Sequence, residues 1–292
     1  MKNFLLDIIV DPISKTALSY SQVENNFIAT DGTVYDIVEG VPIFLKEMAT
    51  TTIDTVNFDY QLHYQNDANH FNYFDEPHDV VFFERERNRQ SIMNALPNSA
   101  KLILDIGCGN AWLASHLVGE TVQVISADIS LKNPMQALKA VTHKNHAALV
   151  ADAFNLPFGE NTIDAIVASE IMEHVVNPKI FIEKLLFCLK PNGKLILATP
   201  YDEAIVQNVC IHCNKITPSN AHLHSFNQKN LVNFLPFGIT KIDSKKINNK
   251  YFNKLRIYKF LNFLPYKVWL SIDIIANFFF KKPTCFIIEI SK

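Results

Sequence analysis

The chain has 292 residues, 48% of them apolar, which is enough for one large domain or for a domain with an appendage. Its net charge of −2 is unevenly spread, because residues 241–292 hold eleven Lys and Arg against three acids, a net +8, and the preceding residues carry −10. The scattered cysteines exclude a secreted disulfide framework, and the lack of both a signal peptide and a run of about 18 apolar residues predicts a cytoplasmic protein without a spanning helix.

Residues 1–48 predict a small β-rich unit that begins with a short helix. The segments Asp11-Pro-Ile-Ser14 and Tyr35-Asp-Ile-Val-Glu-Gly-Val-Pro-Ile-Phe44 resemble the Trm112-like, zinc-ribbon-like module. In that family a pair of cysteines often stands where this chain has Asp11 and Ser14. A structural zinc site needs thiolates or imidazoles, so the resemblance implies a module without metal ligands that packs against the rest of the chain.

Residues 49–100 form a lead-in to the next unit. The first thirty are polar and rich in aromatic residues, a composition that fits either a lid over a binding cleft or a loop anchored by its rings. Residues 80–96 predict a helix that leads into a strand.

The segment Leu104-Asp-Ile-Gly-Cys-Gly-Asn110 joins an apolar strand to a helix through a tight glycine turn. Gly107 and Gly109 allow the backbone to approach a ligand, since neither has a Cβ. Asp128 ends the next apolar run, where a carboxylate can accept both hydroxyls of a ribose. The spacing predicts a nucleoside site for either a nicotinamide dinucleotide or S-adenosylmethionine.

Two residues favour S-adenosylmethionine. Trp112 stands where a dinucleotide fingerprint has its third glycine, and an indole there obstructs close packing around a pyrophosphate. Asp105 precedes the loop, where an acid repels phosphate but suits the ammonium of an amino acid.

Five ordered segments now match a known family: 104–110, 126–128, 150–158, 164–175 and 189–197. Together they resemble the class I S-adenosylmethionine-dependent methyltransferases, and most closely the type-11, ubiquinone-biosynthesis-like branch. The resemblance implies an α/β fold with a Rossmann-like seven-stranded sheet and helices on both faces, beside the small N-terminal β-rich module. It assigns residues 101–240 to the methyltransferase core.

The resemblance also implies a role for each cofactor residue. Asp105 and the loop hold the methionine end, Asp128 holds the ribose, and Asp152 takes the adenine amino group. The remaining predicted contacts to the cofactor are Gly107, Cys108, Gly109, Ile129, Ala153, Ser169 and Glu170.

Glu170-Ile-Met-Glu173-His174 places two carboxylates and an imidazole together after the fourth strand. The segment resembles the Glu-x-x-Glu-His sequence of ubiquinone-pathway O-methyltransferases, where a divalent cation is proposed to sit. We consider three roles: a metal site, His174 with Glu173 as the catalytic pair that accepts the proton of a hydroxyl, or a cap for the following helix. The catalytic pair is the favoured prediction.

A second cluster contains Cys210, Cys213, His222 and His224. The four residues fit a tetrahedral zinc site. In the type-11 branch a His-x-His-x-Phe segment lies near the acceptor pocket, so the resemblance instead implies that His222 or His224 contacts substrate. Reduced cysteines with two surface histidines are the third alternative.

Residues 241–282 are a basic, apolar insertion, and residues 283–292 supply the last core strand. Wound as a helix, the insertion separates Lys267, Asp273 and Asn277 from an apolar face. Such a face fits peripheral contact of residues 255–282 with a membrane surface, at the inner membrane, or packing on the main domain or a second subunit. No nucleic-acid motif is present, so we expect no nucleic-acid partner.

The sequence therefore predicts an enzyme that transfers a methyl group from S-adenosylmethionine to a small-molecule or lipid-linked acceptor, at oxygen or carbon. Two alternatives remain open: an NAD-dependent Rossmann oxidoreductase, and a catalytically silent methyltransferase-like partner protein.

Overall fold

A computed structural model describes residues 2–45, 51–53, 56–75, 79–209, 214–239 and 241–292. Within these residues the chain forms an α/β structure whose main sheet holds eleven strands. The first half of the chain contributes these elements: α1 (Asn3–Leu6), β1 (Ser19–Ser21), β2 (Asn26–Ile28), β3 (Val34–Val38), β4 (Val41–Phe44), β5 (Thr51–Ile53), β6 (Val56–Phe58), α2 (Tyr60–His70), α3 (Asp79–Ala95), β7 (Leu102–Ile106), α4 (Trp112–Leu117), β8 (Gln123–Asp128), α5 (Lys132–Ala140) and β9 (His146–Ala151).

The second half completes the sheet and adds the helices of the insertion. Its elements are β10 (Ile163–Ser169), α6 (Pro178–Cys188), β11 (Leu189–Pro200), β12 (Gln207–Val209), β13 (Ile216–Pro218), β14 (Lys241–Asn249), α7 (Lys250–Lys254), α8 (Tyr258–Leu261), α9 (Tyr266–Phe280) and β15 (Pro283–Ser291), with short 3₁₀ turns at Ser219–Ala221 and Leu231–Phe234.

The sheet confirms the predicted fold class. Its central strands follow the order β9-β8-β7-β10-β11-β15-β14, and the first five of these run parallel, with β15 antiparallel to β11. Parallel strands need helical crossovers, and both faces of such a sheet are then covered. The strands are correspondingly apolar, and all five residues of β7 are buried.

The predicted N-terminal strands are present and join this sheet. β4 pairs with β9 in parallel, with Ile43 opposite Val150, so β1 to β4 extend the sheet beyond its parallel edge. At the position where the resembling family has cysteines, Asp11 ties the loop together: its carboxylate accepts hydrogen bonds from the backbone N–H of Ile13 and Ser14 and from the Tyr35 hydroxyl. Hydrogen bonds to one buried carboxylate thus hold this loop in place.

Helix α9 turns its polar residues inward and much of its apolar surface outward. Asp273 and Asn277 are buried with Trp269, whereas Phe278 and Phe279 are 73% and 71% exposed. The Asp273 carboxylate accepts hydrogen bonds from the Asn248 N–H and the Asn277 amide. Polar residues at the end of β14 supply the partners of Asp273 and Asn277 on this side.

A buried arginine of α3 helps to anchor the insertion to that helix. The Arg87 guanidinium donates to the carbonyls of Leu261 and Leu264 and lies between the rings of Phe83 and Trp269, 5.3 and 4.9 Å from their centroids. Carbonyls at a helix end are unsatisfied by the helix itself, so a buried cation there stabilises both the helix end and its packing. In the described part of the chain, no helix is both long and apolar enough to cross a bilayer.

Candidate functional site

A cavity of about 1060 Å³ opens at the carboxyl ends of the central parallel strands. In open α/β sheets, ligands bind at this edge, outside the strand ends. We call its two parts the strand-end side, built from the residues after β7, β8 and β9, and the histidine side, built around Glu170, His174 and His222.

The glycine loop forms the wall between α4 and β7. Gly107 and Gly109 have φ angles of +70° and +46°, and Ala111 adopts +55° as the residue before α4. A Cβ on Gly107 would stand 2.1 Å from the Ile171 side chain, so the loop depends on glycine at this position. The predicted residues Gly107, Cys108 and Gly109 all line the cavity.

Asp105 is buried behind this wall, which at that point consists of Ile106 and Gly107. Its side chain is 2% exposed, and its Oδ2 has no hydrogen-bond partner among the described residues. Burial, together with the nearby charge of Asp128, raises the pKa of Asp105 to about 8. An unpaired buried carboxyl group is costly, and a cation bound on the other side of the loop would offset part of that cost.

Two further acids end β8 and follow β9 at the cavity. The Asp128 carboxylate accepts hydrogen bonds from the Ser130 N–H at 2.9 Å and the Asn133 amide at 3.0 Å, and burial raises its pKa. Asp152 accepts from the Phe154 N–H at 2.9 Å and from the Tyr60 hydroxyl at 2.6 Å, and its pKa is also raised by burial. The neighbours of these acids, Ile129 and Ala153, line the same side.

Helix α2 lies across the strand-end side. The Gln65 amide donates to the carbonyl of Ile129 at 2.8 Å and accepts from the Leu131 N–H at 3.1 Å. The Lys132 ammonium reaches the carbonyl of Ala68 at 2.6 Å. Together with the Tyr60 contact, these bonds make α2 part of the cavity wall.

Arg89 of α3 was missed by the sequence analysis. Its guanidinium lies 3.4 Å from the Asn110 side chain in the glycine loop and 5.5 Å from the centroid of the Trp112 ring. Arg89 lines the cavity although it is only 8% exposed. It lies in the run Phe83-Glu-Arg-Glu-Arg-Asn-Arg-Gln90, whose many charges are typical of a solvent-exposed helix face. No local sequence pattern therefore distinguishes Arg89 as a buried residue of the cavity wall.

The histidine side is assembled from segments far apart in sequence. Ser169 ends β10, Glu170 follows it with a φ of +58°, and both line the cavity. The Glu173 carbonyl accepts from the backbone N–H groups of Leu223 and His224, at 2.7 and 3.2 Å. These two hydrogen bonds hold the segment that contains His222, after β13, against the segment that contains His174, after β10.

The side chains of this segment carry shifted pKa values. Burial raises the pKa values of Glu170 and Glu173, and the neighbouring Glu170 charge raises that of Glu173 further. Burial, reinforced by His222, lowers the pKa of His174 to about 4, so this imidazole is neutral at physiological pH. The His174 and His222 rings are 4.7 Å apart and nearly perpendicular.

The two predicted histidines of the second cluster diverge. His222 lines the cavity, whereas His224 packs behind the lining residue Val176, 3.3 Å from its carbonyl, and against Phe226 and Phe234. The two rings therefore lie in different surroundings, and contact of either histidine with a substrate stays a prediction. Cys210 and Cys213, the other half of the predicted zinc site, lie outside the described residues.

The profile of a family described as a methyltransferase domain matches residues 81–235, more than half of the chain. The chain belongs to this methyltransferase family. The family match favours S-adenosylmethionine over the nicotinamide alternative, and the strand-end acids, the glycine loop and the unpaired Asp105 oxygen fit that cofactor.

The curated relatives of the chain carry the names of different activities. The arginine-hydroxylase NDUFAF5 of Mus musculus is 36% identical over 99 residues, which cover 32% of this chain and 27% of that protein. The ubiquinone biosynthesis O-methyltransferase of Bradyrhizobium diazoefficiens is 34% identical over 116 residues, covering 39% and 44%. The chain thus spans less than half the length of these two curated relatives.

Among solved structures, a putative S-adenosylmethionine-dependent methyltransferase from Listeria monocytogenes superposes with a TM-score of 0.51 at 12% identity. The match covers 72% of this chain and 98% of that one. At this identity the similarity shows the shared fold alone.

Proposed function

We propose that the chain transfers a methyl group from S-adenosylmethionine to an oxygen, or alternatively a carbon, of a small lipid-linked acceptor. The observation that carries this proposal is one continuous cavity, which joins the strand-end side to the polar histidine side. Curated relatives include O-methyltransferases of ubiquinone biosynthesis and of tocopherol, which are aromatic lipids.

The strand-end side would hold the cofactor. Asp128 accepts the ribose hydroxyls beside Ile129, and Asp152 accepts the adenine amino group beside the Ala153 N–H. Arg89 pairs with the methionine carboxylate. When bound, S-adenosylmethionine supplies an electrophilic methyl group on a cationic sulfur.

Asp105 acts on the methionine ammonium through the loop rather than by lining the cavity. Ionised, it is a fixed negative charge in a poorly solvated place, where charges interact strongly. Ile106 and Gly107 form the wall between them, and their backbones are the direct contacts.

The histidine side would receive the acceptor. Ser169 and Glu170 lie where the two sides meet, and His174 with Glu173 forms the catalytic pair. Positioning of the reacting groups supplies much of the acceleration of a displacement reaction. Buried, hydrogen-bonded side chains suit this role because they hold a fixed position. His222 contacts the acceptor from the opposite segment.

The test is a transfer assay with methyl-labelled S-adenosylmethionine. The full chain is incubated with cell extract separated into lipid, small-molecule, glycan and protein pools, and S-adenosylhomocysteine binding is measured in parallel. The proposal expects label in the lipid pool. Cofactor binding with no label in any pool would favour a catalytically silent partner protein, and label only in the protein pool would refute a lipid-linked acceptor.

The insertion supports a lipid-linked acceptor, because its surface combines apolar and basic side chains. We define the apolar–basic surface as the exposed side chains of residues 250–282. Its large apolar members are Tyr251, Leu255, Phe260, Phe263, Val268, Ile274, Ile275, Phe278, Phe279 and Phe280. Its basic members are Lys250, Lys254, Arg256, Lys259, Lys267, Lys281 and Lys282.

This composition fits an anionic bilayer. The sole acid between residues 250 and 282 is Asp273, which is buried, so the exposed charge of the segment is uniformly positive. A protein partner needs no such uniform charge, whereas anionic lipids attract each basic residue by about 1 kcal/mol near the surface. We propose that the apolar–basic surface docks on an anionic membrane, where the acceptor resides.

Vesicle flotation tests this docking. Wild-type protein is expected to float with vesicles containing phosphatidylserine but not with purely phosphatidylcholine vesicles, and less at high salt. The double variant F278S/F279S should stay at the bottom, while F237S, at a fully exposed phenylalanine outside the surface, should float normally. Recovery of wild type in the unbound fraction with both vesicles would refute the docking.

The N-terminal module, residues 1–48, is proposed to be a metal-free relative of the Trm112-like unit that supports the edge of the sheet. The β4–β9 pairing and the Asp11 hydrogen bonds support this role. Replacement of Asp11 by Ala should lower the melting temperature without changing cofactor affinity.

A further inference from the structure

The insertion buries one acid, Asp273 of α9, that the proposed methyl transfer does not use. Its side chain is 0% exposed and lies on the side of α9 that packs against β14. We infer that Asp273 makes the attachment of α9 to the rest of the protein sensitive to pH: the neutral acid holds the helix in place, and ionisation of the acid loosens it. This role concerns how a helix is held, so it stands apart from the chemistry of the cavity.

The two oxygens of the Asp273 carboxyl group have unequal surroundings. Oδ2 accepts hydrogen bonds from the Asn248 backbone N–H at 2.9 Å and from the Asn277 side-chain amide at 3.0 Å. Oδ1 has no hydrogen-bond partner within the described residues. Because Oδ2 accepts from two donors, the proton of the neutral acid belongs on Oδ1. Two uncharged donors replace only part of the hydration that a carboxylate loses on burial, so the ionised form is costly here.

The groups around Asp273 do not offset that cost. The charged and titratable side chains that face its surroundings come from three elements: Glu84 and Arg87 on α3, Cys285 on β15, and Tyr266 on α9 itself. β14 faces it with the uncharged Asn248 and Asn249. The Arg87 guanidinium donates to backbone carbonyls of the turn at residues 261–264. Burial, with the like charge of Glu84, raises the pKa of Asp273 to about 7.

The direction of the pH effect follows from proton linkage. In the attached helix the pKa of Asp273 is about 7, whereas in a detached, hydrated helix it returns to about 3.9. Between these two values the attached state keeps a proton that the detached state releases. Attachment is therefore strongest in acid and weakens as pH rises, by up to about tenfold per pH unit. Above about pH 7 both states are ionised, and the dependence levels off.

The same hydrogen bonds reach the cavity wall. The Asn248 side-chain amide donates to Oδ1 of Asn88 at 2.8 Å, and Asn88 lines the cavity. Asn248 is 2% exposed and has a φ of +62°, so its backbone N–H and its side chain are both committed to this buried network in a left-handed conformation. Loosening of α9 at higher pH withdraws one partner of Asn248. The charge of Asp273 thus sets how firmly the insertion supports this part of the cavity wall.

Hydrogen exchange measured by mass spectrometry tests this role on the full chain. Protection factors of peptides from α9, which correct for the intrinsic pH dependence of exchange, are compared between about pH 5 and 8.5. In wild type, protection should fall by up to about tenfold per unit toward pH 7 and then level off. D273N, which keeps the shape of the neutral acid, should show no such fall. D243N is the matched control, because it removes an exposed acid on β14, and it should keep the wild-type slope.

The variant N277A gives a readout that a purely structural role would not move. It removes a donor to the Asp273 carboxylate, which disfavours the ionised form, so the pH at which protection levels off should rise. A flat wild-type profile, a wild-type slope in D273N, or loss of protection in N277A by the same factor at every pH would each overturn the inference. If D273N does not fold, the comparison of N277A with D243N decides the question.

Discussion

At the strand-end side of the cavity, the polar groups come from consecutive parallel strands, whereas at the histidine side they come from segments about fifty residues apart. Asp128 and Asp152 each end or follow a buried strand and are held by local backbone N–H groups. Glu173 and His222 meet only because the chain after β13 returns to the end of β10. Under the proposed function, the cofactor meets locally encoded residues, whereas the acceptor meets residues that only the tertiary fold brings together.

The largest expected effect is a loss of turnover without a loss of cofactor binding, in a variant of the histidine side. H174A should lower the rate of methyl transfer about 100- to 1000-fold, because the acceptor loses the group that accepts its proton. Its affinity for S-adenosylhomocysteine should change less than about threefold, since His174 lies on the histidine side. Single-turnover kinetics and calorimetry on one preparation measure both values, and an equal loss in both would show that the two sides are not independent.

Removal of the Arg89 side chain, on the strand-end side, should instead weaken cofactor binding. R89A loses a charge-assisted contact to the methionine carboxylate, which predicts about 10- to 100-fold weaker binding of S-adenosylhomocysteine. R89K should recover only part of this affinity, because ammonium lacks the fork geometry of guanidinium. Unchanged affinity in R89A would place the methionine end elsewhere.

The raised pKa of Asp105 gives the strand-end side a pH signature. With a pKa of about 8, Asp105 is mostly protonated at pH 6 to 7. A bound ammonium favours the ionised form and lowers this pKa, so binding releases a proton and affinity rises by up to about tenfold per pH unit toward pH 8.

Calorimetry in buffers of different ionisation enthalpy detects that proton. D105N should show no proton release and a flat affinity between pH 6 and 8, with H174A as a control that keeps the wild-type slope. A flat wild-type profile would mean that Asp105 does not sense the ligand.

The smallest expected effect concerns α2. The Tyr60 hydroxyl donates to Asp152, so an adenine amino group bound there must share or replace this contact. Y60F removes a hydrogen bond worth about 0.5–1.5 kcal/mol and should change nucleoside affinity by less than about tenfold, in either direction. A loss of more than 100-fold would instead make Tyr60 a direct contact to the cofactor.

The residues of the strand-end side could be predicted from the sequence for a physical reason. Asp105, Asp128 and the glycine turn lie next to strongly apolar strands, and their neighbours in sequence are their neighbours in space. The same holds for the order of strands and helices, because the apolar periodicity of each element is local.

The arrangement of the histidine side could not be predicted from the sequence in the same way. His222 and His224 were considered together because they are close in sequence, but the turn at residues 219–221 directs His222 to His174 and leaves His224 among phenylalanines. Arg89 was hidden in a charged run, of which Arg87 and Arg89 are both buried. Tertiary contacts, rather than local patterns, decide these positions.

The insertion shows the same limit. Helical periodicity placed Asp273 and Asn277 on one side of α9, yet it did not tell which side faces the protein. The polar Asn248 and Asn249 on β14 decide this, because they bind Asp273 and Asn277 and leave the phenylalanines exposed.

The central claim is that the strand-end side binds the nucleoside of S-adenosylmethionine, and titration calorimetry of S-adenosylhomocysteine tests it most directly. Wild type and D243N, which removes an exposed acid on β14, should bind one equivalent with the same affinity. D128A should bind about 100-fold more weakly, because it loses the acceptor of the ribose hydroxyls. No binding heat with wild type, or equal affinity in D128A and D243N, would contradict the account.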